Sequence, residues 1–116
     1  MTASPESPIA CVLGALSPAE RERRESLAEQ LRKAITGVTE LADGFALRLR
    51  DDDSTWMNTA ELITLERRCC PFLGFQLVAQ REQAAFSLHL TGRPGVKEFL
   101  RDAFELGGET RSASGP

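Results

Sequence analysis

Apolar residues recur along this chain with two different periods, and the switches between the periods mark out its elements. Leu27, Leu31, Ala34 and Ile35 fall at helical spacing and lay one apolar stripe along a first helix. Ser17-Pro18-Ala19-Glu20 opens it with a capping residue, a proline suited to the first turn and the acid of a capping box. Gly37 is expected to close it. Its other faces carry Arg21/Glu25 and Glu29/Lys33 at i,i+4 spacing, and the charge run from 20 to 25 reads as a solvated face.

The period then changes to two. Phe45, Leu47 and Leu49 alternate with Ala46, Arg48 and Arg50, as in a strand with one covered and one wet face. Val38 to Leu41 precede this run, and the Asp43-Gly44 pair between the two signals a hairpin. A second alternating pair follows later. Phe75, Leu77 and Ala79 form one member and Phe86, Leu88 and Leu90 the other, with polar Arg81-Glu82-Gln83 as the turn. Ile9, Cys11 and Leu13 also alternate with Ala10 and Val12, which allows a short further strand with Cys11 facing the core.

Two more helices complete the pattern. The acids of Asp51-Asp52-Asp53-Ser54 suit the positive end of a helix dipole and match a calcium loop poorly. Trp56, Ala60 and Ile63 continue at helical spacing, as do Leu62, Leu65 and Cys69. Pro71 limits this helix to Arg68 or Cys69, because a residue before proline is pushed out of the α region. Gly92-Arg93-Pro94-Gly95 opens a third helix with Val96, Phe99, Leu100, Ala103 and Phe104 on one stripe. The expected fold is therefore α+β, an antiparallel sheet of four to five strands with three amphipathic helices packed mainly on one face. Residues 9–106 are read as one domain, 1–8 as a flexible arm and 107–116 as a disordered tail. No internal repeat is read.

Composition changes the picture mainly by exclusion. A chain of 116 residues with 41% apolar content is large enough for one domain with its own core. A formal charge of −3 argues against nucleic acid as the main partner, since phosphate binding needs concentrated positive charge. No apolar run approaches the roughly 18 residues of a membrane span, and residues 1–8 lack the basic and apolar regions of a secretory signal. The chain has 3 cysteines, an odd number with two of them adjacent, which argues against a disulfide framework and for a reducing, cytoplasmic setting.

The candidate chemistry lies in Glu66-Arg67-Arg68-Cys69-Cys70-Pro71-Phe72 together with Cys11. Cys69 and Cys70 fall at a helix C-terminus, where the dipole disfavours a thiolate, while Arg67 and Arg68 favour one. Glu66 shares their helix face and suits a proton acceptor or an oxygen ligand. A disulfide between adjacent residues is strained, because Cα atoms about 3.8 Å apart lie below the usual range. A soft metal or metalloid is less demanding, and three thiolates from Cys11, Cys69 and Cys70 would suit a trigonal centre. Zinc would want a fourth ligand, for which Glu66 or His89 are the candidates, although the alternation of β-type residues puts His89 on the wet sheet face. Two other readings stand beside the metal one. Cys69 and Cys70 could serve thiol redox chemistry, or the chain could be a non-catalytic homodimer with cysteines as small core residues.

Leu65-Glu66-Arg67-Arg68-Cys69-Cys70-Pro71-Phe72-Leu73 with Phe75, and Leu90-Thr91-Gly92 with Gly95 and Lys97-Glu98-Phe99-Leu100, carry a resemblance. Over roughly residues 9–104 the chain resembles a group of small bacterial proteins marked by a Cys-Cys-Pro-Phe segment and a later Leu-Thr-Gly…Lys-Glu-Phe segment. Similar segments occur in proteins associated with resistance to mercury or other heavy metals. The resemblance implies binding of a soft metal ion or metalloid, with Cys11, Cys69 and Cys70 at the matching positions. Glu66 matches the motif without an implied role.

Overall fold

The computed structural model describes residues 8–79, 82 and 85–104. The readings of residues 1–7 as part of an arm and of 107–116 as a tail lie outside the described residues, as do positions 81 and 83 of the expected turn. The elements are α1 (Pro18–Ala34), β1 (Ile35–Leu41), β2 (Gly44–Arg50), α2 (Asp53–Cys69), β3 (Gly74–Ala79), β4 (Ala85–Thr91) and α3 (Val96–Ala103), with a short 3-10 turn over Leu13–Ala15. The architecture is α+β, three helices against a four-stranded antiparallel sheet of order β1-β2-β4-β3.

The two central strands carry the core. Register pairs Phe45 with Leu90, Leu47 with Leu88 and Leu49 with Phe86, and all six side chains are buried. Arg48 and Arg50 are exposed on the opposite face, and Ser87 and His89 are only half-buried there. Leu27 and Leu31 of α1, Leu62 and Leu65 of α2, and Val96 and Leu100 of α3 complete the same core, so the helices share one face of the sheet. Trp56 stacks on Phe86 with ring centroids 3.8 Å apart, and its indole N–H donates to Asp51 at 2.7 Å. Each fully buried Leu or Phe contributes about 1.5–3 kcal/mol relative to exposure.

Ser17 caps α1 as the sequence suggests: its hydroxyl accepts from the Glu20 N–H at 3.1 Å, and the Glu20 carboxylate accepts from the Ser17 N–H at 2.9 Å. The C-terminal end differs from expectation. Helix α1 stops at Ala34 and β1 begins at Ile35, while Gly37 lies inside the strand beside a register shift. Ile35, Thr36 and Val38 are β-branched, so the chain turns to extended backbone before it reaches the glycine. Residues 9–13 form no strand. The Val12 N–H donates to the Cys69 carbonyl at 2.7 Å and Leu13–Ala15 closes a 3-10 turn, so this segment docks on α2 rather than on the sheet.

The order helix–strand–strand occurs twice, a repeat not read in the sequence. Exchanging α1-β1-β2 for α2-β3-β4 reverses the strand order into itself, and Phe45-x-Leu47-x-Leu49 corresponds to Phe86-x-Leu88-x-Leu90. The helices are both 17 residues long and are capped by Ser17 and Asp52. Matched from their caps, Leu27 corresponds to Leu62, Leu31 to Glu66, Ala34 to Cys69 and Ile35 to Cys70. Beyond the central strands and a few positions such as Leu27 and Leu62 the two units differ, which hides the repeat from a reading of residues alone.

Gly44 lets β4 approach the start of β2 closely. A Cβ there would lie 1.8 Å from the Leu90 carbonyl oxygen, so only glycine lets β4 pair this closely. A Gly44→Ala variant is expected to lose at least about 2 kcal/mol in urea denaturation through displaced backbone. Gly14→Ala, where nothing lies within 4 Å, should change stability by only a few tenths.

Candidate metal centre

Pro71 stops α2 with Cys69 as its last residue and Cys70 as its C-cap. The Cys70 N–H still donates to the Glu66 carbonyl at 2.6 Å, and its carbonyl accepts from the Leu73 N–H at 3.1 Å. Both thiols are thereby fixed on tight backbone and fully buried, each at 0% exposure. The hydrogen bond from Val12 to Cys69 brings the residue before it, Cys11, over the same helix end.

The three sulfurs converge. Cys11 Sγ lies 2.8 Å from Cys70 Sγ, Cys69 Sγ lies 3.8 Å from Cys70 Sγ, and all three fall within 4.8 Å of one another. All three are free cysteines, and Cys11 alone is partly exposed. Among the described residues this is the one group of three or more metal-ligating side chains so disposed. Thiolates about 2.3 Å from a shared ion sit about 3.8–4.0 Å apart. The Cys69–Cys70 separation already meets that spacing, and Cys11 needs to withdraw from Cys70 by about 1 Å. Three thiolates form a soft donor set suited to thiophilic ions rather than to magnesium or calcium.

Glu66, the fourth candidate, is buried but turned to a different partner. Its Oε2 lies 2.9 Å from Arg24 Nε of α1, with side-chain exposures of 4% and 20%. Neither atom has an aligned hydrogen bond, so the contact is an ion pair held by charge. The Arg24 guanidinium also reaches Cys11 Sγ, 3.7 Å from Nη2. It thus touches both the carboxylate and one of the sulfurs. Burial works against the charge on Arg24, but Glu66 and then the sulfurs of Cys69 and Cys11 outweigh it, and its pKa is raised.

Two expectations about charge need correction. The run from 20 to 25 is more than a solvated face, because it ties α1 to α2 through Glu20–Arg68 at 2.8 Å, Arg23–Glu61 at 2.7 Å and Arg24–Glu66 at 2.9 Å. Arg68 is therefore engaged with Glu20 and Arg67 is exposed, and the guanidinium beside the thiols comes from α1 instead. Sequence reasoning missed Arg24. The one available signal was a position facing the same side of α1 as Leu27 and Leu31, which a long arginine stem can share. His89 lies between buried Leu88 and Leu90, which places it on the sheet face away from the helices, as its alternation suggests.

Burial pushes the Cys69 thiol up, and the nearby Glu66 carboxylate adds to this despite an opposing contribution from Arg24. Burial is also the main cause of the strong upward shift at Cys70, followed by its contact with Cys11 and the charge of Glu66. Without a metal, Cys69 and Cys70 are accordingly protonated thiols at neutral pH. Comparison with protein-family models, with curated proteins and with solved structures found no significant match.

The site yields two expected outcomes. Because these thiols titrate higher folded than unfolded, their stabilising effect is complete below the ordinary thiol value of 9.0 and is lost as pH rises above it. Unfolding free energy should decline above about pH 9, and a Cys69→Ala/Cys70→Ala variant should flatten that decline in denaturation measured across the pH series. The buried pair gives the second. Arg24→Met leaves Glu66 charged and unpaired and should cost about 3–5 kcal/mol, whereas Arg24→Met/Glu66→Leu recovers most of the loss in the same assay.

Proposed function

We propose that this protein binds one thiophilic metal or metalloid ion through Cys11, Cys69 and Cys70, for its sequestration, delivery or sensing in a reducing cytoplasm. The observation that carries this reading is the convergence of sulfurs from two segments 58 or 59 positions apart to within 4.8 Å. A core requirement for small apolar residues accounts for one buried cysteine but gives no reason for three sulfurs to meet.

The donor set favours a three-coordinate ion. Glu66 is engaged by Arg24, and His89 lies across the sheet, so neither offers itself as the fourth ligand zinc prefers. Mercury(II), arsenic(III) and copper(I) fit three soft thiolates better. The likeness of the Cys-Cys-Pro-Phe segment to proteins associated with heavy-metal resistance supports the same class. Three thiolates around a divalent ion leave one net negative charge, and Arg24 stands 3.7 Å from Cys11 Sγ to offset it.

Titration of the reduced protein with mercury(II), cadmium(II) or arsenite, followed by thiolate-to-metal absorption, should saturate at one ion per chain. Cys11→Ser should weaken binding by about ten-fold or more, and Cys69→Ser/Cys70→Ser should abolish the absorption band. Stoichiometric binding retained by the double variant would overturn the reading.

A further inference from the structure

The same three sulfurs differ sharply in how they can be reached, and that difference points to a second chemistry. Cys11 is partly exposed, while Cys69 and Cys70 have no exposed surface. A guanidinium nitrogen of Arg24 lies 3.7 Å from Cys11 Sγ, which puts a cationic hydrogen-bond donor where an incoming peroxide oxygen would meet that sulfur. Cys70 Sγ stands 2.8 Å behind it. The site therefore has one partly exposed cysteine beside a cation, with a second, fully buried thiol in contact.

We propose that Cys11 is an oxidation site for hydroperoxides and that Cys70 resolves it, giving a Cys11–Cys70 disulfide that disassembles the soft-ion site. In the first step Cys11 sulfur attacks the peroxide. An S–O bond forms, the O–O bond breaks, and the departing oxygen leaves as water or an alcohol after taking a proton. In the second step Cys70 sulfur attacks the Cys11 sulfenic acid. The S–S bond forms, the S–O bond breaks and the hydroxide leaves as water with the Cys70 proton. Two thiols are oxidised by two electrons in total and one peroxide is reduced.

Geometry selects this pair over the adjacent one. The peptide bonds described are all trans, so Cys69 and Cys70 have Cα atoms about 3.8 Å apart, below the range a relaxed disulfide needs. Cys11 and Cys70 are 59 positions apart in sequence and free of that restraint. Formation of the bond leaves Cys69 as the one remaining free thiol, too few to hold a three-coordinate ion.

Loss of the ion site rests on the soft-ion reading, whereas the disulfide does not, and the test separates them. The reduced, metal-free full chain is treated with one equivalent of hydrogen peroxide, its remaining thiols are alkylated, and it is digested without reductant for mass spectrometry. The expected product is a monomer lighter by two hydrogens before alkylation, with the Cys11 peptide joined to the Cys70 peptide. Cys69→Ser should give the same cross-link. Cys70→Ser should instead accumulate a sulfenic acid at Cys11, trapped by dimedone. A Cys69–Cys70 product, dimedone capture at Cys69 or Cys70 in place of Cys11, or an unreacted Cys11 would overturn the proposal. In a second arm, arsenite is titrated into the oxidised wild-type chain. Loss of the thiolate-to-metal band, restored by dithiothreitol, is expected, and an undiminished band would overturn the switching role alone.

Discussion

The antiparallel pairing of β2 with β4 is the constraint on which the rest of this structure depends. It places Phe45, Leu47 and Leu49 beside Leu90, Leu88 and Phe86, making one continuous apolar floor. Each strand belongs to a helix–strand–strand unit, so pairing them sets the two long helices side by side on that floor. The helices then meet through a ladder of charge, Glu20–Arg68, Arg23–Glu61 and Arg24–Glu66, of which the last is largely removed from water. Exposed members of such a ladder contribute little individually, and the buried pair fixes register because leaving either charge alone is costly.

The candidate site is a departure from the repeat. Where α1 carries Leu31, Ala34 and Ile35 to finish its apolar stripe, α2 carries Glu66, Cys69 and Cys70 at corresponding positions. The first unit runs directly from helix to strand. The second inserts Pro71, Phe72 and Leu73 before β3, and Phe72 meets Phe99 of α3 edge-on with ring centroids 5.0 Å apart. Three sulfurs and a buried carboxylate thus meet at a helix end that core packing alone would fill with hydrocarbon. The polar residues tolerated there are answered by Arg24 from the opposite unit.

Much of the fold was legible because period and capping chemistry are local. Ser17 with Glu20, the Phe45-Leu47-Leu49 alternation and the stop at Pro71 each declare an element within a few residues. Gly37 misled because β-branched Ile35 and Thr36 had already committed the chain to a strand. The alternation at Ile9, Cys11 and Leu13 misled because five residues cannot show which partner their backbone will find, and here it found Cys69. The cysteines themselves could be singled out from the sequence, whereas their meeting depends on long-range contacts such as that hydrogen bond and on no pattern along the chain. Arg24 was hidden for a related reason. Within a run of charges nothing local distinguishes the one guanidinium that turns inward.

The docking of the N-terminal segment on α2 has a consequence for how occupancy is felt by the molecule. An ion shared by Cys11, Cys69 and Cys70 would close a loop spanning both strands of the first hairpin and the whole of α1 and α2. Binding and the seating of that segment then become one equilibrium, in which stability grows with the logarithm of free ion concentration. The segment is already seated on α2 without an ion, so occupancy would tighten an existing contact, and the presence of the ion would be written into how firmly Cys11 and Val12 hold to the helix end.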